Sequence, residues 1–159
     1  MAEQPEIAIV GGGIGGAALA TVLARAGLSV AVLERDIEPV DRVRGEFMAP
    51  WGVAEAARLE LLDILLSTGG VFATRAIFYD ENVSPERAEA NARDMRAVHP
   101  IGTGPLCAGH PAMCAALCRA AGAQGASVLR GVKDIAISAG HPPRLSSSTA
   151  IGAGYGSLV

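Results

Sequence analysis

Apolar residues run without interruption through Ile7-Ala8-Ile9-Val10 and again through Val30-Ala31-Val32-Leu33. A run of four with no polar alternation suits a strand buried on both faces. Between the two runs, from Ile14 to Ala26, apolar and small residues recur at helical spacing, with Leu19, Val22, Leu23 and Ala26 as the expected stripe. Gly27 stands where a helix closing in the left-handed conformation needs a residue without a Cβ. Strand, helix and strand within about thirty residues predict a right-handed βαβ unit with parallel strands.

The pattern weakens downstream. Asp36 to Pro50 is polar, carries Pro39 and Gly45, and reads as loop. Val53 to Leu66 predicts one amphipathic helix, with Val53, Ala56, Ala57, Leu61, Ile64 and Leu65 inward and Gly69-Gly70 as its stop. Thr74 to Asp80 reads as a strand opening an antiparallel insertion, the start of a substrate domain, over residues 70–105. Glu81 to Arg96 is charged and weakly helical from Pro85, and Pro100 to Pro111 reads as loop. Pro111 suits the first turn of a helix running to Ala121, where its missing N–H costs nothing. A last strand pattern lies in Ser127 to Ile137, at Val128-Leu129 and from Val132 on. From His141 the large apolar residues follow neither a period of two nor one of 3.6. The fold class expected is therefore α/β, a Rossmann-type parallel sheet over residues 1–140, with 141–159 as a disordered tail.

Composition narrows the function. The chain has 159 residues, the range of one domain, and half of them are hydrophobic. A formal charge of −3 gives no electrostatic footprint for nucleic acid. No apolar run approaches the roughly eighteen residues of a membrane span. The acidic start, Met-Ala-Glu-Gln-Pro-Glu, lacks the basic region of a signal peptide, so a cytoplasmic chain is expected. Cys107, Cys114 and Cys118 are odd in number and form no C-x-x-C pair. Cys114 and Cys118 stand one helical turn apart and read as small apolar residues in a reducing compartment. No metal site is expected.

Chemistry concentrates in the first turn. Gly11-x-Gly13-x-x-Gly16 lies between the first strand and the first helix. Gly11 permits the tight turn, Gly13 lets the backbone approach a pyrophosphate, and Gly16 lets the helix pack close to the strands. The helix N-terminus offers free amides and a partial positive charge to phosphates. Glu34, ending the second strand, is placed to accept hydrogen bonds from adenosine ribose hydroxyls, and its charge disfavours a 2′-phosphate. No Ser/His/Asp or paired-carboxylate arrangement suggests other chemistry.

The run Gly11-Gly-Gly-Ile-Gly-Gly16, with Ala20, Leu23, Arg25, Gly27, Val30, Val32, Leu33, Glu34 and Arg35, resembles the start of class A flavoprotein monooxygenases, the relatives of p-hydroxybenzoate hydroxylase. Arg42-Val-Arg-Gly-Glu46 and Ala49-Pro-Trp-Gly-Val53 are similar to the loop and helix that follow in that family. The resemblance implies FAD as cofactor, with Gly11, Gly13, Ile14, Gly15, Gly16, Glu34, Arg35 and Arg44 binding it, and Arg42 as second choice for the flavin side. It implies NAD(P)H as reductant in the full-length family and a small-molecule substrate that the sequence does not specify. The segment from Gly109 to Val132 resembles the family's middle portion. There His110 replaces the usual Arg before the helix, so an Arg contact to the cofactor is not carried over.

The family's later Asp-Gly and Gly-Asp segments do not occur, since no Asp follows Asp134. The fold is thus expected to be incomplete relative to the full monooxygenase, an N-terminal portion weakly active or inactive alone, as from a truncated or frame-shifted gene. The alternatives are a binding-only dinucleotide remnant and an NAD-dependent dehydrogenase with the same fingerprint. The Arg-Gly-Glu loop and Ala-Pro-Trp-Gly segment favour flavin.

Overall fold

The computed structural model describes residues 4–41, 47–151 and 155–158, of which 148–151 and 155–158 are described by their backbone alone. In chain order the elements are β1 (Ile7–Val10), α1 (Ile14–Arg25), β2 (Val30–Glu34), β3 (Phe47–Met48), α2 (Pro50–Arg58), α3 (Leu62–Leu66), β4 (Val71–Phe72) and β5 (Arg75–Ala76). They continue with α4 (Pro85–Ala90), β6 (Arg93–Asp94), β7 (Leu106–Cys107), α5 (His110–Ala123), β8 (Ser127–Arg130), β9 (Ile135–Ser138), β10 (Arg144–Ile151) and β11 (Tyr155–Leu158). The chain forms two compact units, one of residues 1–42 and 111–159, the other of residues 43–110.

In the first unit β1, β2 and β8 form a parallel sheet with β2 in the middle. The expected βαβ unit is therefore present, and the α/β class stands. Alternate residues of β2 feed two cores, as the pleat requires. Val30 and Val32 pack with Ile9, Ala20, Ala24, Ala121 and Ala126, while Ala31 and Leu33 pack with Val132 and Leu145. That division explains why β2 reads as an unbroken apolar run.

The buried stripe of α1 differs from the expected one. Ala17, Ala20, Thr21 and Ala24 are buried, and Leu19 is exposed. The helix approaches its neighbours closely, and only small side chains fit between them. Thr21 shows how close: its hydroxyl donates to the Ala17 carbonyl at 2.7 Å and reaches the Leu117 carbonyl of α5 at 3.3 Å.

The ends of α1, α2 and α5 follow one device. At the end of α1 the Gly27 amide bonds to Ala24 O at 2.9 Å and the Leu28 amide to Leu23 O at 3.2 Å, with Gly27 at φ +86°. The same paired bonds close α5 at Gly125, φ +98°. They also close α2, but there the left-handed residue is Glu60, φ +56°. The Leu61 amide reaches Ala56 O at 2.8 Å and the Glu60 amide Ala57 O at 3.0 Å. The single helix expected over Val53 to Leu66 is therefore two. Glu60 accepts a conformation that costs a non-glycine residue about 1 kcal/mol, so no glycine marks the break.

The second unit is built of short pieces. β3, β7 and β4 form an antiparallel sheet in which β7 is central, and β5 pairs antiparallel with β6. Only Arg75–Ala76 of the strand expected at Thr74 to Asp80 is extended into a ladder. α4 begins at Pro85 behind Ser84, whose hydroxyl accepts the Arg87 amide at 3.4 Å.

The expected disordered tail is corrected over its first part. Arg144 to Ser147 pair antiparallel with Ser138 to Ile135, and β11 pairs with β10. Leu145 is the reason: it is buried against Ala31, Leu33 and Val132, so one well-placed leucine anchors a segment with no periodic pattern.

Candidate functional site

The site begins where β1 ends. The Gly11 amide donates to Leu33 O at 2.8 Å, carrying the β1–β2 pairing one residue past the strand. Gly11 then turns at φ +105°, a region that favours glycine. At Gly16 a Cβ would overlap the Gly11 carbonyl oxygen and lie 3.2 Å from Ile9 Cγ2, so α1 packs directly onto the turn. Gly13 is the N-cap of α1, with no side-chain cap, and a Cβ there would meet nothing within 4 Å among the described residues. Space therefore remains open in front of the helix N-terminus, where first-turn amides lack partners within the helix.

Glu34 closes the arrangement. Its Oε2 accepts the Gly12 amide at 2.6 Å and its Oε1 accepts the Asp36 amide at 2.9 Å. The carboxylate is thus pinned against the glycine turn, as the spacing of the fingerprint implies. Each oxygen keeps acceptor capacity for a ribose hydroxyl. Beyond the carboxyl ends of β2 and β8 lies a cleft of about 580 Å³, lined by Arg35, Asp36, Glu38, Gly131 and Lys133 among others. Crevices outside the carboxyl ends of parallel strands are where open α/β sheets bind ligands. Arg35 lies on that cleft and pairs with Asp36 at 3.3 Å.

Gly12 and Cys118 also stand at this turn. Gly12 is buried, and a Cβ on it would come within 3.2 Å of Glu34 Cβ and Oε2 and 3.4 Å of Cys118 Sγ. The unbroken triplet Gly11-Gly12-Gly13 carried that signal. Cys118 is more than the small apolar residue expected: its thiol donates to the Gly12 carbonyl at 3.3 Å. Burial pushes both the Cys114 and the Cys118 thiols above their ordinary pKa. At neutral pH they remain protonated, and Cys118 remains a donor. The Ile14 amide holds a hydrogen bond to the Cys114 thiol, which offsets part of that rise.

Gly11, Gly13, Ile14, Gly15, Gly16 and Glu34 are therefore gathered at one turn, with Arg35 on the adjoining cleft. Arg44, with Arg42, lies outside the described residues. His110 is the first residue of α5, one position earlier than the helix start expected at Pro111. No described helix is long and apolar enough to cross a membrane.

The turn, the helix N-terminus and the carboxylate beside it thus form one arrangement. Comparison with known proteins gives the family. Residues 4–104 match the family model described as FAD binding domain, and the chain belongs to that family. Squalene monooxygenase of Rattus norvegicus is 46% identical over 64 residues, which are 40% of this chain and 11% of that protein. Among solved structures, PqsL of Pseudomonas aeruginosa, a probable FAD-dependent monooxygenase, superposes with a TM-score of 0.70 at 18% identity, over 92% of this chain and 39% of that one. Aklavinone-11 hydroxylase, solved with FAD and aklavinone, gives 0.67 at 18% identity, over 93% of this chain and 31% of that one. The fold is that of the FAD-binding portion of p-hydroxybenzoate hydroxylase-like flavoproteins. The chain spans about a tenth of the length of the rat relative and 31% and 39% of the two solved chains.

Proposed function

We propose that this chain binds the ADP half of FAD at the glycine turn and serves as the cofactor-gripping portion of an FAD-dependent monooxygenase. The observation that carries the reading is the Glu34 carboxylate held at 2.6 Å on the Gly12 amide, beside a helix N-terminus left open at Gly13. In this reading the amides at Gly13 and the first turn of α1 take the pyrophosphate, where the helix dipole favours negative charge. Glu34 accepts the ribose hydroxyls, and a 2′-phosphate placed against it meets like charge. Arg35 and Lys133 line the cleft that receives the adenine side. Arg44 is assigned the flavin side, as the resemblance implies. When bound, the flavin supplies the redox and oxygen chemistry, and this chain's residues position it. NAD(P)H as reductant and a small organic substrate belong to the same proposal.

The test separates the two halves of the cofactor. FAD titrated into the protein should lose or gain fluorescence saturably, whereas FMN, which lacks the adenosine half, should bind at least about tenfold more weakly. Equal affinity for FMN and FAD would contradict recognition through the ADP moiety.

A further inference from the structure

Both backbone polar groups of Gly12, one in each flanking peptide, are held by groups far away in sequence. Its N–H goes to the Glu34 carboxylate at 2.6 Å, and its carbonyl accepts the Cys118 thiol at 3.3 Å. Cys118 is 106 residues away, on α5. The neighbouring residue of the same helix, Leu117, offers its carbonyl to the buried Thr21 hydroxyl of α1 at 3.3 Å. Two consecutive residues of α5 therefore tie it to the glycine turn and to the helix that follows.

The direction of the Gly12 carbonyl decides what the next amide does. A trans peptide is planar, with its C=O and N–H pointing in opposite directions. Turning the Gly12 carbonyl inward to Cys118 turns the Gly13 N–H outward. Among the described residues nothing lies within 4 Å of a Cβ at Gly13, so the backbone there is open to a ligand. We infer that Cys118 is a positioning residue for the dinucleotide site, holding the Gly12–Gly13 peptide so that the Gly13 amide faces the ligand's phosphates.

A thiol suits this place. Gly12 is buried, and its Cα approaches so closely that a Cβ would lie 3.4 Å from Cys118 Sγ, leaving little room for a larger donor. Burial raises the thiol's pKa, which keeps its proton available for the carbonyl. The Arg130 guanidinium hydrogen-bonds the same sulfur and reaches the Asp36 carbonyl at 3.5 Å. Sulfur is a weak donor and a weak acceptor, and here it serves in both roles. The chain of contacts runs from the end of β8 through Cys118 to the turn.

The inference rests on the reading of the turn as an ADP site, and its test uses ADP itself. The full chain and its Cys118→Ala, Cys118→Val and Cys118→Ser variants are titrated with ADP by calorimetry. Thermal melting and the ¹⁵N shift of the Gly13 amide are recorded for each. Removing the donor should weaken ADP binding on the order of tenfold, because the buried Gly12 carbonyl loses its partner and the peptide is free to turn. Serine, which keeps a donor, should recover binding to within about threefold of the parent. The Gly13 amide shift should move in the Ala and Val variants and stay near the parent value in Ser. If Cys118→Ala does not fold, Cys118→Val, which keeps a γ-atom and adds one methyl, carries the comparison. Unchanged ADP affinity without the donor overturns the inference and leaves the ADP site standing. A loss that follows melting temperature alone, with no recovery in Ser, also overturns it. A parent protein that does not bind ADP overturns the site reading and this inference together.

Discussion

The βαβ region and the unit of residues 43–110 are stabilised in different ways. β1 and β2 pair over four consecutive positions, and β2 is buried on both faces. Each strand of the second unit, from β3 to β7, has two residues. Phe47, Trp51, Val71 and Phe78 of that unit are all more than half exposed. Where a strand is buried on both sides, every residue must be apolar, so composition and conformation coincide. Where a ladder is two residues long, loop geometry decides it. Gly104 is an example: at φ +76° it packs so tightly that a Cβ would overlap the Ala73 carbonyl oxygen, a constraint with no periodic trace in the sequence. The first region is specified by pattern, the second by individual close approaches.

The largest effect that separates them is expected at Gly16. Gly16→Val drives a branched side chain into the Gly11 carbonyl and Ile9, which should cost on the order of 3 kcal/mol or more and remove ADP binding. Chemical denaturation measures it. A loss below about 1 kcal/mol would show that α1 does not depend on this contact. Next comes Leu145→Ala, which should cost about 2–3 kcal/mol because Leu145 is buried against Leu33 and Val132. Deletion after Gly140 should likewise lower the melting temperature. Unchanged melting in both would return residues 141–159 to the status of a dispensable tail.

The smallest effect lies in the second unit. Hydrogen bonds from the Arg96 side chain, at 2.9 Å and 2.8 Å, and then from the Arg96 amide, hold the Asp94 carboxyl down to about 2 from its usual 3.8. A carboxyl depressed in the folded state stabilises above its unfolded pKa, and that contribution is lost as pH falls through the folded value. The difference between the parent and Asp94→Asn should therefore be constant above pH 3.8 and vanish towards pH 2. The Asp94 side chain is about half exposed and solvent screens the pair, so the difference is small. An NMR titration midpoint near 3.8 would contradict the pairing.

The sequence made β1, α1, β2 and the Gly27 cap legible because each follows from a period or from a glycine in the left-handed region. Glu34 was legible because the fingerprint fixes its place, and the structure does bring it to the turn. The break at Glu60 was hidden because no glycine marks it. The α1 stripe was legible only in part: Leu23 packs against the core, but Leu19 is exposed, and alanines with Thr21 make the fully buried contact that a search for large apolar residues overlooks. Cys118 was hidden for a different reason: its role exists only through a contact across 106 positions, which no local pattern encodes.

We propose the open backbone at Gly13, with Glu34 beside it, as the binding site for an ADP moiety. Calorimetric titration of ADP into the parent chain and into Gly13→Val tests it most directly. A Cβ at Gly13 meets nothing within 4 Å among the described residues, so the substituted chain should fold with a melting temperature close to the parent's. The parent should bind one ADP per chain, and the variant, whose side chain fills the ligand's space, should show no measurable heat. Binding of ADP with equal affinity by both proteins would contradict the claim.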